Sequence, residues 1–547
     1  MISKKMFFIL GSLLAGVYFM GLFSGLLEND SAQFAVMAMR MVQEGDFWSL
    51  YKGTEPYLDK PHLHYWLAAG AFKLFGIWEW AYKLPGVLAL FLGAFSVYKL
   101  ALLLYNSSVA RAATLIFLSA QTIVLSAIDL RTDALLSGLV CLSLWKLIAF
   151  VEHPKPSHMV FGSIAAAMAF STKGHLALVV IGLPLLGHIW QAKRWRLFLR
   201  WEALLGLVVF CLGIAPVLYA YYLQFDLHPE LVIRGRSQRS GIFFILWEQS
   251  FERLSGTGMG TNSPDYFFFF HTFLWAFMPF TALAVLMAID RFKHLKKPSK
   301  SRGIFFGTLA FLLLISFAQF KLPHYLNSSM GLWAILSAGY LGSLLEGKSD
   351  QKLKRLLWVQ RFIFFVLATL CTAILFWMFR AEGFFIGFVF VLFVTLSLWQ
   401  IFKNRAAASQ ILYTGVLACF LTNATMNGVF YPNLLQYQAG TQMALKIKEQ
   451  LPELSKKPLY KWGNAHSWAL DFGLRNPLRS TYEPNTLPPK SYIYVNDAQL
   501  GDLSEAARPF ETILEVPRYR ITRLKWSFLN PSTRGGSLEK MFLIQLH

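Results

Sequence analysis

Lys83 to Tyr105 reads KLPGVLALFLGAFSVYKLALLLY. From Leu84 to Tyr98 it carries no charge, and the run Val87–Leu104 is long enough to cross a bilayer core as a helix, which takes roughly 20 residues. Working outward, Met6–Leu26, Ala134–Val151, Leu176–Trp190 and Leu204–Tyr222 have the same character. Over all 547 residues, 55% are hydrophobic and only 15% charged, with a mean hydropathy of +0.45. A soluble chain of this length carries far more charge. The fold class is an all-α polytopic membrane protein.

A net charge of +21 suggests nucleic-acid binding in a soluble protein, but the basic residues are confined to a few loops. They are Lys4 and Lys5, Lys193–Arg200, Arg291–Arg302, Lys348–Arg355 and Lys403–Arg405. Cytoplasmic loops are rich in Lys and Arg, so these loops are expected on one, inner side, and no nucleic-acid partner is expected. Alternation from an inside N-terminus gives about 13 spans and an outside C-terminus. The first run has a basic start without a small-residue cleavage site, which reads as an uncleaved span. Cys141, Cys211, Cys371 and Cys419 all fall in apolar runs and read as packing residues.

Residues 1–431 are expected to form the membrane domain. Within it, 27–82 is a first outer loop with interfacial helices and 224–268 a long outer loop. In the first loop, Ala35, Met39 and Val42 recur at helical spacing, and HLHYWLAAGAFKLFG is too short to span. Hydrophobicity falls after about Val429, and 432–547 mixes a helical stretch (AGTQMALKIKEQL) with strand-like runs (SYIYVND, MFLIQL). It reads as a small α/β domain. No GxGxxG or P-loop is present to support an energy-driven pump.

The unusual ionisable residues outside the basic loops are Asp30, Asp59, Lys60, His62, His64, Asp133, Lys173, His175, Arg253, Lys321 and His324. They come from five loops, mostly near span ends, and alternation puts all of them on the outer side. Charge at a membrane interface is costly to desolvate, so five such loops on one face read as a site.

Ordered along the chain, NDSAQFA, PYLDKPHLHYW, RTDALL, TKGH, ERL and KLPHY resemble the motif series of the bacterial polyprenyl-phosphate-dependent glycosyltransferases of the GT-C fold. The similarity is greatest to the lipid A aminoarabinose transferases, with protein O-mannosyltransferases as more distant relatives. It covers the whole membrane part. Departures stand at Phe34, Asp59, His62, His175 and Ser250; they leave fold and reaction class intact and the identity of the sugar open.

The resemblance implies a periplasmic active site at the bacterial inner membrane, a polyprenyl-phosphate sugar donor, and a lipid, glycan or protein acceptor. The departing lipid phosphate needs fixed cations, for which Lys60 and Arg253 are the candidates, with Tyr325 donating a hydrogen bond. From its neighbours alone Lys60 is equally well a snorkelling lysine; its place in the family motif moves it to the phosphate. Asp30 is the candidate for activating or orienting an acceptor hydroxyl, with helix capping as its local alternative. Asp133 is placed to bind acceptor or sugar, or to cap the span from Ala134. Lys173 either reaches the donor phosphate or closes the turn with Gly174. Asp59, Lys321 and His324 are further site candidates. The motifs fix no cofactor and leave a divalent metal open. Asp59 with His62 or His64 is a candidate divalent-metal set, but histidines two apart point to different helix faces, which favours ordinary hydrogen bonding. The rival classes are a transporter, which would place charge at the bilayer midplane, and a scaffold, which leaves the loop residues unexplained.

Overall fold

The computed structural model describes residues 1–547 except 29, 256–263, 296–298, 348, 381–383, 464, 466 and 506–507, and leaves out the side chains of 253, 254, 384, 385 and 456 as well. The chain opens with α1 (Lys4–Leu22), α2 (Asp30–Glu44), the two-residue strands β1 (Tyr51–Lys52) and β2 (Glu55–Pro56), α3 (Leu63–Phe75) and α4 (Glu79–Leu104). Next come α5 (Ser107–Ser119), α6 (Gln121–Ile128), α7 (Thr132–Glu152), α8 (Pro156–Lys173), α9 (His175–Ala192) and α10 (Trp201–Tyr221).

Among the described residues eight helices are long and apolar enough to cross a membrane. The number is nine if α5 and α6, bent by 52° about Ala120, make one broken span. About 13 followed from alternation of the basic loops; the shorter apolar helices Arg302–Phe317 and Ile386–Phe402 stand outside the eight. Arg302–Phe317 is short of 18 residues, and the run after Tyr266 is divided between Phe268–Ala276 and Thr281–Lys293.

Small residues decide where the spans meet. A Cβ on Gly138 of α7 would stand 2.0 Å from the Ala89 carbonyl oxygen of α4, so the two backbones touch. Membrane helices associate through such close approaches because lipid offers no hydrophobic drive between them. In α7, 78% of the apolar window is buried, against 22% for the span containing α10, which puts α7 at the centre and α10 at the rim. Of the cysteines, Cys141, Cys371 and Cys419 are buried, whereas Cys211 on α10 is exposed.

The basic loops meet at one end of the bundle. Gln191 donates to the Ser299 carbonyl (2.6 Å) and Lys352 lies 3.6 Å from Asp290. At the opposite end stand the C-terminal ends of α1, α6 and α8 and the N-terminal ends of α4 and α7. Fully buried Lys83 of α4 donates there to the Gly21 carbonyl (3.2 Å) and the Ser24 hydroxyl (2.9 Å), which satisfies carbonyls that α1 leaves at its end. In α2, expected as an interfacial helix, Ser31 to Met39 are all buried, because α2 is covered by α3 and by the C-terminal helix Trp468–Leu474.

The C-terminal part is a mixed five-stranded sheet of β3 (Leu459–Trp462), β4 (Arg479–Thr481), β5 (Tyr492–Asn496), β6 (Phe510–Arg518) and β7 (Glu539–Leu546), in the order β4-β3-β5-β7-β6. Period-two alternation sends Ile493, Val495, Phe542 and Ile544 to one face. Tyr494, Val516 and Leu543 go to the other, against Met443 and Ile447 of the helix Ala439–Gln450. This sheet region sits on the same end of the bundle as Asp30. Glu28 accepts from the Ala469 amide (3.0 Å), and Gln438 donates to the Leu26 carbonyl (2.9 Å). Between β6 and β7 the chain reaches the end of another span, where Arg534 donates to the Met378 carbonyl (2.6 Å).

Candidate active site

The junction of α6 and α7, from Asp129 to Asp133 in the first turn of α7, supplies the centre of the candidate site. Arg131 lies 2.8 Å from Asp129 and 3.0 Å from Asp30, so one guanidinium links the start of α2 to the start of α7. Burial works against the charge of Arg131, but the Asp129 and Asp30 carboxylates outweigh it and raise its pKa. Asp30 is the first residue of α2 and half exposed, with its carboxylate turned to Arg131.

One turn further on, Asp133 forms a buried ion pair with Lys173 from the end of α8. Both side chains are almost inaccessible, at 4% and 2% exposure. His324 Nε2 approaches the other Asp133 oxygen at 3.9 Å, and the Lys173 ammonium stands 4.8 Å from the ring centre of Tyr325. His324 and Tyr325 belong to the short helical turn Pro323–Ser329 that carries KLPHY into the following span. Asp133 lies inside α7, whose N-cap is Arg131, whereas Lys173 ends α8 at the Gly174 turn (φ 65°) and also turns its ammonium to Asp133. Beside this pair is an apolar cavity of about 140 Å³ lined by Leu176, Val179, Leu314, Ile315 and Ala318, with Lys173 and Tyr325 at its polar side. Ser250 and His175, both departures from the family motifs, also line it and bond each other at 3.0 Å.

A second cluster joins the first outer loop to the long one. Arg234 pairs with Asp59 and with Glu252 (3.0 Å), and Arg239 pairs with Glu248 (2.9 Å) and Glu252. Gln249 donates to the Asp59 carbonyl (2.6 Å). Lys60, next to Asp59, is within electrostatic reach of His324. The helix Gln249–Ser255 thus lies against the loop that carries Lys60. The side chain of Arg253 on that helix lies outside the described residues.

Other expected residues turn elsewhere. Lys321 stands 5.4 Å from the ring centre of Tyr266. His62 Nε2 donates to the Trp48 carbonyl (2.9 Å), and His64 meets the Tyr82 hydroxyl (3.0 Å), which itself donates to the Leu130 carbonyl (3.1 Å). The single hydroxyl proton being spent on Leu130, the His64 ring N–H donates to Tyr82. Burial pushes both imidazoles down to about 4, so both are neutral near pH 7. The metal set of Asp59, His62 and His64 is therefore corrected: each side chain has a different partner. Among the described residues no group of three His, Cys, Asp or Glu is placed to hold a metal ion.

Reading the chain alone missed Arg131, Asp129, Arg234 and Glu252. The first two stand in IDLRTD, where acid, base and acid recur two apart. Nothing local distinguishes Arg234 from its neighbours in IRGRSQRSG.

Residues 59–220 match a family model described as dolichyl-phosphate-mannose-protein mannosyltransferase. The undecaprenyl phosphate-alpha-4-amino-4-deoxy-L-arabinose arabinosyl transferase of Yersinia pestis (strain Pestoides F) is 27% identical over 59% of this chain and 57% of its own length. A Proteus mirabilis enzyme of the same name, numbered 2, is 25% identical over 58% and 55%. The matched region thus spans little more than half of these relatives. The crystal structure of ArnT from Cupriavidus metallidurans bound to undecaprenyl phosphate superposes with a TM-score of 0.74. That match covers 99% of this chain and 98% of that one at 17% identity. The fold is the GT-C fold of that structure, with many apolar helices and a small C-terminal sheet region. Over the matched region the chain is similar to glycosyltransferases of the lipid A aminoarabinose transferase type.

Proposed function

We propose that this chain transfers a sugar from a polyprenyl-phosphate donor to an envelope lipid or glycan, lipid A being the leading acceptor, at the periplasmic face. The observation that carries the reading is the apolar cavity at whose polar side stand Lys173 and Tyr325. A polyprenyl phosphate has the same division, one anionic head on an apolar tail. The cavity holds part of the prenyl chain while the cations at its end hold the phosphate.

In this reading the bond between the sugar's anomeric carbon and the lipid phosphate breaks as the acceptor oxygen attacks. Inversion at that carbon follows from a single displacement. Charge grows on the leaving phosphate, and Lys60 and Arg253 stabilise it from the two loops joined through Asp59 and Gln249, with Tyr325 completing the cradle. Asp30 accepts the proton of an acceptor hydroxyl, or orients an acceptor that is already ionised, while Arg131 holds its carboxylate in place. Asp133 positions Lys173 and His324.

Transfer to a protein hydroxyl is the second reading, favoured by the match to the protein mannosyltransferase model. Membranes containing the protein, incubated with labelled undecaprenyl-phosphate aminoarabinose, are expected to yield labelled lipid A. Label recovered in protein would select the second reading, and label remaining wholly on the donor, with other sugars tried in turn, would remove both.

A further inference from the structure

At the seam between the bundle and the C-terminal sheet region lies a cavity of about 310 Å³ that shares no lining residue with the one beside Lys173. Leu22 and Phe23 at the end of α1 and Trp78 and Glu79 at the start of α4 form one wall. Lys448, from the last turn of Ala439–Gln450, and Arg475, just past Trp468–Leu474, face them.

Arg475 is held there with care. Its backbone is left-handed (φ 55°), a conformation unfavourable for a residue with a Cβ, and its carbonyl accepts from Gln43 (2.8 Å). Its guanidinium donates to the Ile77 carbonyl (3.0 Å) and lies 4.9 Å from the Trp78 ring centre. That bond uses one of five N–H donors, and among the described residues no carboxylate pairs with it. Lys448 likewise has no ion pair among the described residues. Its ammonium is destabilised by burial and then by repulsion from Arg475, with Glu79 opposing. Two cations and one acid leave the cavity with an uncompensated positive charge.

The apolar side continues onto the membrane face of the bundle. Phe23 and Phe19 of α1 are 60% and 62% exposed on a spanning helix, where exposure means contact with lipid. Cations at the level of a span end, above an aromatic stripe facing hydrocarbon, match a molecule with an anionic head and an acyl tail.

We propose that this seam cavity binds one anionic glycerophospholipid, its phosphate against Arg475 and Lys448 and an acyl chain along Phe23 and Phe19. The bound lipid then forms part of the joint between bundle and sheet.

Native mass spectrometry of the full chain, released from vesicles of equal phosphatidylglycerol and phosphatidylcholine, tests this. Wild-type protein should retain phosphatidylglycerol in preference. Lys448→Ala combined with Arg475→Ala should lower retained phosphatidylglycerol about tenfold and leave phosphatidylcholine unchanged. Lys448→Gln alone leaves the bond from Arg475 to Ile77 in place and should lower it about threefold. Equal retention of the two lipids, or unchanged phosphatidylglycerol in both variants, overturns the proposal. So does its displacement by millimolar inorganic phosphate, which would mark a soluble anion, or by undecaprenyl phosphate, which would mark a donor site. None of these outcomes depends on sugar transfer.

Discussion

The Asp133–Lys173 pair and the Asp59–Arg234–Glu252 cluster use the same chemistry in opposite settings. The first joins the ends of two helices, α7 and α8, and its side chains are 4% and 2% exposed. The second joins two loops, and Asp59 and Arg234 keep 35% and 20% of their surface. Water screens the loop cluster, so each of its pairs is worth little on its own. The helix pair has lost its hydration, and removing one member strands the other as a buried charge. The difference separates two tasks. The buried pair ties α7 to α8, and the loop cluster ties the loop bearing Lys60 to the helix Gln249–Ser255.

The sharpest test of that contrast is Lys173→Met. It should cost about 3–5 kcal/mol of stability in a denaturant titration and abolish transfer. Adding Asp133→Leu should restore much of the stability without restoring activity. If the single variant is as stable as wild type, the buried pair does not hold α7 to α8. Next comes Lys60→Ala, which should reduce transfer on the order of 100-fold by weakening donor binding and slowing turnover, because the phosphate charge grows as the sugar bond breaks. Lys60→Arg should rescue only partly, a planar fork being a poor copy of an ammonium.

Asp30→Asn keeps an oxygen for Arg131 but loses the base. Expression should be unchanged and transfer should fall, again on the order of 100-fold if a hydroxyl proton must be removed. Near-normal activity would limit Asp30 to bonding Arg131. The smallest effect is expected for Arg234→Gln: stability within about 1 kcal/mol of wild type, and a several-fold rise in donor KM that grows less distinct in high salt. A loss as large as that of Lys60→Ala would place Arg234 on the substrate and erase the distinction between the two clusters.

Much of the site was legible before the fold. Asp133, Lys173 and His324 stood out as ionisable residues at the ends of apolar runs, Tyr325 came from the KLPHY motif, and the structure brings these four together. His62 and His64 stood out for the same reason and turned out to be buried, neutral bonding groups. Being conspicuous beside a span marks a residue as constrained, and it does not say whether a substrate or the protein is its partner.

What the amino-acid sequence determined by itself follows from local rules. Runs of about 20 apolar residues make spanning helices, basic loops collect at one end, and period-two alternation makes the strands of the C-terminal sheet. The tertiary structure alone decided the pairings. Asp133 and Lys173 are 40 residues apart, and Glu28 and Ala469 are 441 apart. It also decided that both faces of α2 are covered, by α3 and by the helix Trp468–Leu474. Hydropathy and periodicity report how a segment relates to its solvent, within a turn or two of chain. Which charge meets which depends on where whole helices cross, and those crossings are set by backbone contacts such as that of Gly138 with Ala89.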